Sequence, residues 1–84
     1  MEVTKMEATK TALALDLKGL LCPIPVVRLA QAIKTVQAGD VIEATATDPG
    51  VLADIPAWCR STGNELLSIG REERIIRFAV RRVK

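Results

Sequence analysis

The stretch Leu13-Ala14-Leu15-Asp16-Leu17-Lys18-Gly19-Leu20-Leu21-Cys22-Pro23-Ile24-Pro25-Val26 decides how this chain folds. Leu13, Leu15 and Leu17 alternate with Ala14, Asp16 and Lys18, the period of a half-buried strand. Gly19 breaks that period. After the two prolines, Val26, Leu29, Ala30, Ile33 and Val36 recur at helical spacing, with Arg28, Gln31, Lys34 and Gln37 on the other side. Prolines fit here because a helix's lead-in and first turn have no acceptor for their missing N–H groups. The spacing predicts a strand, a tight turn and a helix that stops at Gly39.

The same grammar repeats downstream. Val41–Thr47 reads as a second strand, with Ile42, Ala44 and Ala46 facing one way and Glu43, Thr45 and Thr47 the other. Asp48-Pro49-Gly50 is a turn. A second helix follows over Val51–Thr62, with Val51, Ile55 and Cys59 inward and Trp58 either at the core edge or in a docking patch. Pro56 predicts a kink or a short first turn, with Asp54 capping the restart. Gly63-Asn64 ends it. Glu65–Ile69 and Arg74–Val83 read as a closing pair of strands around a turn at Gly70–Glu73.

The order is therefore β-α-β-α-β-β. Asp16, Lys18, Glu43, Thr45, Arg77 and Arg81 leave one polar sheet face, whereas a sheet covered on both faces reads apolar throughout. The expected architecture is an α/β two-layer sandwich, a four-stranded mixed sheet with both helices on one face.

Composition narrows the chemistry. The chain has 84 residues, room for one domain, and 49% are apolar but only 2% aromatic, so Ala, Leu, Val and Ile build the core. Residues 1–10 are polar and aperiodic and read as a disordered tail, leaving 11–84 as the single domain. Histidine is absent, which excludes a Cys-His dyad or a His-based triad within the chain. Two cysteines are too few for a disulfide scaffold or a four-cysteine zinc site. No cofactor or metal site is expected. Nothing resembles a signal peptide or a membrane span, and a cytoplasmic setting with reduced thiols is the expectation.

Cys22 stands where a strand hands over to a helix. Free N–H groups and the positive end of the helix dipole favour an anion there, which predicts a thiol pulled below its ordinary value of about 8.5. Gly19, Pro23, Ile24 and Pro25 shape the turn and stiffen it for docking. Position 25 is proline, so this is not a Cys-x-x-Cys redox motif, and no base is visible for a hydrolase. A thiol without base or resolving partner suits sulfur relay as a persulfide; the bland alternative is a cysteine buried in the turn's corner. Cys59 reads as core packing or, alternatively, as a resolving thiol. Asp48 and Asp54 read as turn and cap residues. The last fourteen positions carry six Lys/Arg against two Glu. Arg77 and Arg81 are candidates for partner docking, with Arg28 and Trp58, or simply a solvated edge; a nucleic-acid- or ribosome-binding module using this basic strand is the alternative function.

These elements together resemble a known family. Leu15-Asp16, Gly19-Leu20, Cys22-Pro23-x-Pro25, Gly39-Asp40, Asp48-Pro49, Asp54-Ile55-Pro56, Trp58-Cys59 and Thr62-Gly63 are similar in order and spacing to the TusA/SirA-like sulfur carriers, over roughly residues 13–84. The resemblance implies a sandwich like the C-terminal domain of translation initiation factor 3. It also implies a persulfide-carrying sulfurtransferase with Cys22 as the catalytic residue. Implied partners are a donor protein, a cysteine desulfurase or a rhodanese-type protein, and an acceptor protein. Implied settings are tRNA thiolation, molybdenum-cofactor sulfur supply and sulfur-compound oxidation. Direct nucleic-acid binding is not expected, and a monomer is the simplest form. Several members of the family have Glu between the prolines, where this chain has Ile24.

Overall fold

A computed structural model describes residues 11–84. The tail expected over residues 1–10 lies outside the described residues. The elements are β1 (Thr11–Leu17), α1 (Ile24–Ile33), β2 (Val41–Ala46), α2 (Val51–Thr62), β3 (Glu65–Glu72) and β4 (Ile75–Arg81). One sheet holds the strands in the order β1-β2-β4-β3. β1 and β2 run parallel, and β4 is antiparallel to both of its neighbours.

Alternation sorts the two faces. Leu13, Leu15 and Leu17, then Ile42, Ala44 and Ala46, then Ile76, Phe78 and Val80 all join Leu29 and Ile33 of α1 and Val51, Ile55 and Cys59 of α2 in one apolar cluster. Both helices therefore cover the same face. Asp16, Glu43, Arg77 and Arg81 stay exposed on the other. Leu29, Ile42, Ile55 and Ile76 are wholly buried, each contributing about 1.5–3 kcal/mol relative to an exposed side chain.

Beyond shifts of one or two residues at the ends of β2 and β4, three features differ from the sequence reading. α1 ends at Ile33, not Val36. The Thr35 hydroxyl and N–H both donate to the Ala32 carbonyl, at 2.7 and 2.9 Å, tightening the chain into i to i−3 turns. Val36 is still buried, carried inward by those turns. α2 runs unbroken through Pro56 from an N-cap at Gly50, with no restart at Asp54. Its start is set by Asp48, whose Oδ1 accepts the Gly50 N–H at 3.2 Å. Pro56, sixth in the helix, lies past the first turn, so the Leu52 carbonyl loses its i+4 donor while the rest of the helix continues.

The third difference is in β3, which continues to Glu72 and turns at Glu73–Arg74, with Glu73 left-handed at φ 59. Register shifts between Leu66 and Ser68. The bulge at Leu67 lets Leu66 and Ile69, three apart, both pack on the core.

Candidate functional site

Cys22 lies in the loop from β1 to α1, immediately before the N-cap Pro23. The loop leaves β1 through Gly19, whose φ of +83 is left-handed and suits a residue without a Cβ. The Gly19 N–H donates to Thr47 Oγ1 at 2.9 Å, tying the loop to the end of β2. Leu20 packs against the core and Pro25 is buried. Leu21, Cys22, Pro23 and Ile24 remain exposed. The Cys22–Pro23 peptide is cis. Gly19, Cys22 and Pro23 thus lie in the loop, and Ile24 and Pro25 are the first two residues of α1; Cys22 is exposed and is not a buried corner filler.

Two acids hold the cysteine. Its backbone N–H donates to Asp48 Oδ2 at 2.6 Å. Its thiol donates to Asp54 Oδ2 at 3.0 Å. Asp54 projects from the first turn of α2, so the start of one helix supports the residue ahead of the other. Turn and cap roles describe only part of this: Asp48 serves the turn and Cys22 at once, and Asp54 is the thiol's partner.

The electrostatics reverse the expectation from the helix dipole. The Cys22 thiol is pushed above its ordinary value, chiefly by the hydrogen bond to Asp54, then by desolvation and by the charges of Asp54 and Asp48. The first-turn donors are largely spent. The Ile24 N–H goes to the Leu21 carbonyl at 2.8 Å and the Val27 N–H to the Pro23 carbonyl at 3.1 Å, and the two prolines have none to give. What remains of the helix field is outweighed by a carboxylate in contact with the sulfur.

Large apolar side chains stay exposed on this loop and the adjoining first turns. Leu21 is 70% exposed, and Ile24, Val27 and Leu52 are each near two-fifths. Solitary exposed side chains are ordinary; here four of them lie on the loop that holds Cys22 and at the starts of α1 and α2.

The other candidates are spread apart. Cys59 is buried in the core and, like Cys22, is a free thiol; burial pushes its thiol up. Trp58 is half-buried and packs on the core edge. Arg28 is exposed on α1. Arg77 lines a shallow groove of about 340 Å³ on the open sheet face with Ala14, Glu43, Thr45 and Ser68. Arg81 pairs with Glu65.

Arg82, another of the basic residues in the last fourteen positions, has a different task. Its guanidinium donates to the carbonyls of Ile33 at 3.2 Å and Val36 at 2.5 Å, capping the end of α1 where the helix dipole favours a cation. The basic C-terminal segment is therefore no continuous cationic stripe.

Residues 13–82 match the profile of the family described as Sulfurtransferase TusA. The chain belongs to the TusA family. Two Bacillus subtilis proteins with sulfur carrier in their names, YrkF and YrkI, are 44% and 38% identical to it over 73 residues, 87% of this chain. The match takes in 97% of YrkI but 40% of YrkF, so in YrkF this TusA-like region is part of a longer protein. The sulfur carrier protein TusA of Allochromatium vinosum is 35% identical over 81% of this chain and 90% of its own length. In structure, the chain is similar to a SirA-like protein from Desulfitobacterium hafniense, with a TM-score of 0.68 and 21% identity over 86% of this chain and 99% of that one. That likeness shows the fold. Among the described residues no helix is long and apolar enough to cross a membrane.

Proposed function

We propose that this protein is a sulfur carrier that takes up sulfur as a persulfide on Cys22 and relays it to an acceptor. The observation that carries this reading is the contrast between its two thiols: Cys22 is exposed on a stiffened turn, and Cys59 is sealed in the core. The naming of its TusA-family relatives as sulfur carriers supports it.

The exchange needs little from the carrier. A donor persulfide, R–S–SH, meets the Cys22 thiol. The Cys22 sulfur attacks the outer donor sulfur, the donor S–S bond breaks, and a new S–S bond forms on Sγ. The donor leaves as thiolate and takes up the proton that Cys22 lost, giving R–SH and Cys22–S–SH. No oxidant is consumed. Unloading is the same exchange with the carrier as donor.

In this scheme the protein is a sulfurtransferase that works between partner proteins in the cytoplasm. The partners supply any base and substrate pocket. The donor is a cysteine desulfurase or a rhodanese-type protein. The apolar rim of Leu21, Ile24 and Val27 brings the sulfur against the partner, and Ile24 between the prolines keeps that rim uncharged. A nucleic-acid-binding role is less well supported, because Arg81 and Arg82 already have partners within the fold.

Intact-mass measurement after incubation with inorganic polysulfide or a persulfide-bearing desulfurase tests the reading. A reductant-reversible gain of one sulfur is expected, absent in Cys22→Ser and retained in Cys59→Ala. Absence of any gain in the wild type would remove the proposal's basis.

A further inference from the structure

We propose that Asp54 holds the empty carrier in its thiol form, and that loading Cys22 with sulfur releases that hold. The inference rests on the carrier reading and adds to it a response of the site to its own cargo.

The geometry carries it. In the empty protein Cys22 Sγ bears a proton and donates it to Asp54 Oδ2 at 3.0 Å. A carboxylate in that position stabilises the thiol and opposes the thiolate, so nucleophilic attack is suppressed. The sulfur cannot easily drift away from it. Asp48 grips the Cys22 N–H at 2.6 Å, and Asp54 is fixed in the first turn of a twelve-residue helix.

Loading changes the atoms present. In Cys22–S–SH the inner sulfur is bonded to Cβ and to the outer sulfur, so it has no proton to donate. The bond from Sγ to Asp54 is lost. The outer sulfur, more acidic than a thiol, gives up its proton to solvent, and the anion left beside two carboxylates is repelled from them. One residue thus retains the empty sulfur and expels the loaded one.

The charged groups on the neighbouring elements do not offset this. Asp48 in the β2–α2 turn adds a second negative charge, acting in the same direction as Asp54. Lys18, in the β1–α1 loop, is paired with Asp16 at 3.7 Å. On α1 the residues nearest the loop, Ile24 to Val27, are uncharged, and Arg28 is exposed beyond them.

The test is the pH dependence of Cys22 alkylation by iodoacetamide, read by peptide mass spectrometry so that Cys59 needs no substitution. In the empty protein, Asp54→Asn should move the alkylation midpoint to lower pH and raise the rate at neutral pH several-fold. Asp54→Glu should keep the midpoint above that of Asp54→Asn. In protein loaded from polysulfide, the Asn variant should shift the persulfide's midpoint by less, because only the charge and no hydrogen bond is removed. Circular dichroism and thermal melting confirm that each variant is folded. An unchanged midpoint in folded Asp54→Asn, or equal shifts in the empty and loaded states, overturns the proposal. The empty-state measurement uses no sulfur donor, so its failure is separable from a failure of wild-type protein to take up sulfur, which would overturn the carrier reading itself.

Discussion

The Cys22 N–H and the Asp48 carboxylate, 26 positions apart in sequence, meet at 2.6 Å. Because the other oxygen of Asp48 accepts from Gly50, one side chain sets both the loop before α1 and the start of α2. Asp48→Ala should remove both contacts. The expected cost is about 1.5–3 kcal/mol in urea unfolding, the range for hydrogen bonds to a charged group. Hydrogen exchange should show the Cys22 amide losing protection. A variant of wild-type stability with the amide still protected would contradict the assigned role.

Arg77 and Arg82 look alike in sequence and should differ on substitution. Arg82→Met leaves the Ile33 and Val36 carbonyls without their donor, and is expected to lower stability by about 1–3 kcal/mol. Arg77→Met, on the open face, should stay within about 0.5 kcal/mol of wild type. Paired denaturant titrations check the contrast; equal effects would refute it.

Thiol titration with a chromogenic disulfide should count one reactive cysteine in the native protein and two in denaturant, since Cys59 is 3% exposed. Cys59→Ser buries a hydroxyl in an apolar site and should cost about 1–3 kcal/mol. Cys59→Ala leaves a small void without that penalty. Neither should reduce sulfur uptake on Cys22.

Stability should also fall in alkali. Both thiols are raised in the fold, Cys22 chiefly by Asp54 and Cys59 by burial. At neutral pH both states keep these protons and the contribution is complete. Once pH passes the ordinary thiol value, the unfolded chain releases protons that the native state retains, and stability declines until the native thiols ionise too. Urea midpoints measured on both sides of that value should show the fall. Cys22→Ser should show less of it.

Gly19→Ala isolates a conformational effect, because φ is +83 and an added Cβ meets nothing within 4 Å. A loss of about 1 kcal/mol is expected. Gly19→Asn should recover part of it, since Asn tolerates the left-handed region better. Thermal melts of the two variants provide the check.

The layout was legible from local pattern. Leu13-Leu15-Leu17 and Ile42-Ala44-Ala46 gave two strands with one apolar face each, and the exposed Asp16, Glu43 and Arg77 required that the helices share the opposite side. The prolines and Gly19 marked the turn at Cys22. What escaped was non-local. The thiol's acid partner is 32 positions away and the donor capping α1 is 49 positions from Ile33. Neither spacing follows from a period of two or 3.6, so a helix dipole near Cys22 could be inferred but the carboxylate that outweighs it could not. At Leu67 the signal was present. Leu66 and Ile69 cannot both face inward on a regular strand, and that mismatch marks the bulge.

Arg82 has an architectural consequence. It fastens the C-terminal segment to the end of α1, while Cys22 stands ahead of the beginning, about 15 Å of helix away at 1.5 Å per residue. A polypeptide appended after Lys84 would leave from the far end of that helix and not shade the thiol.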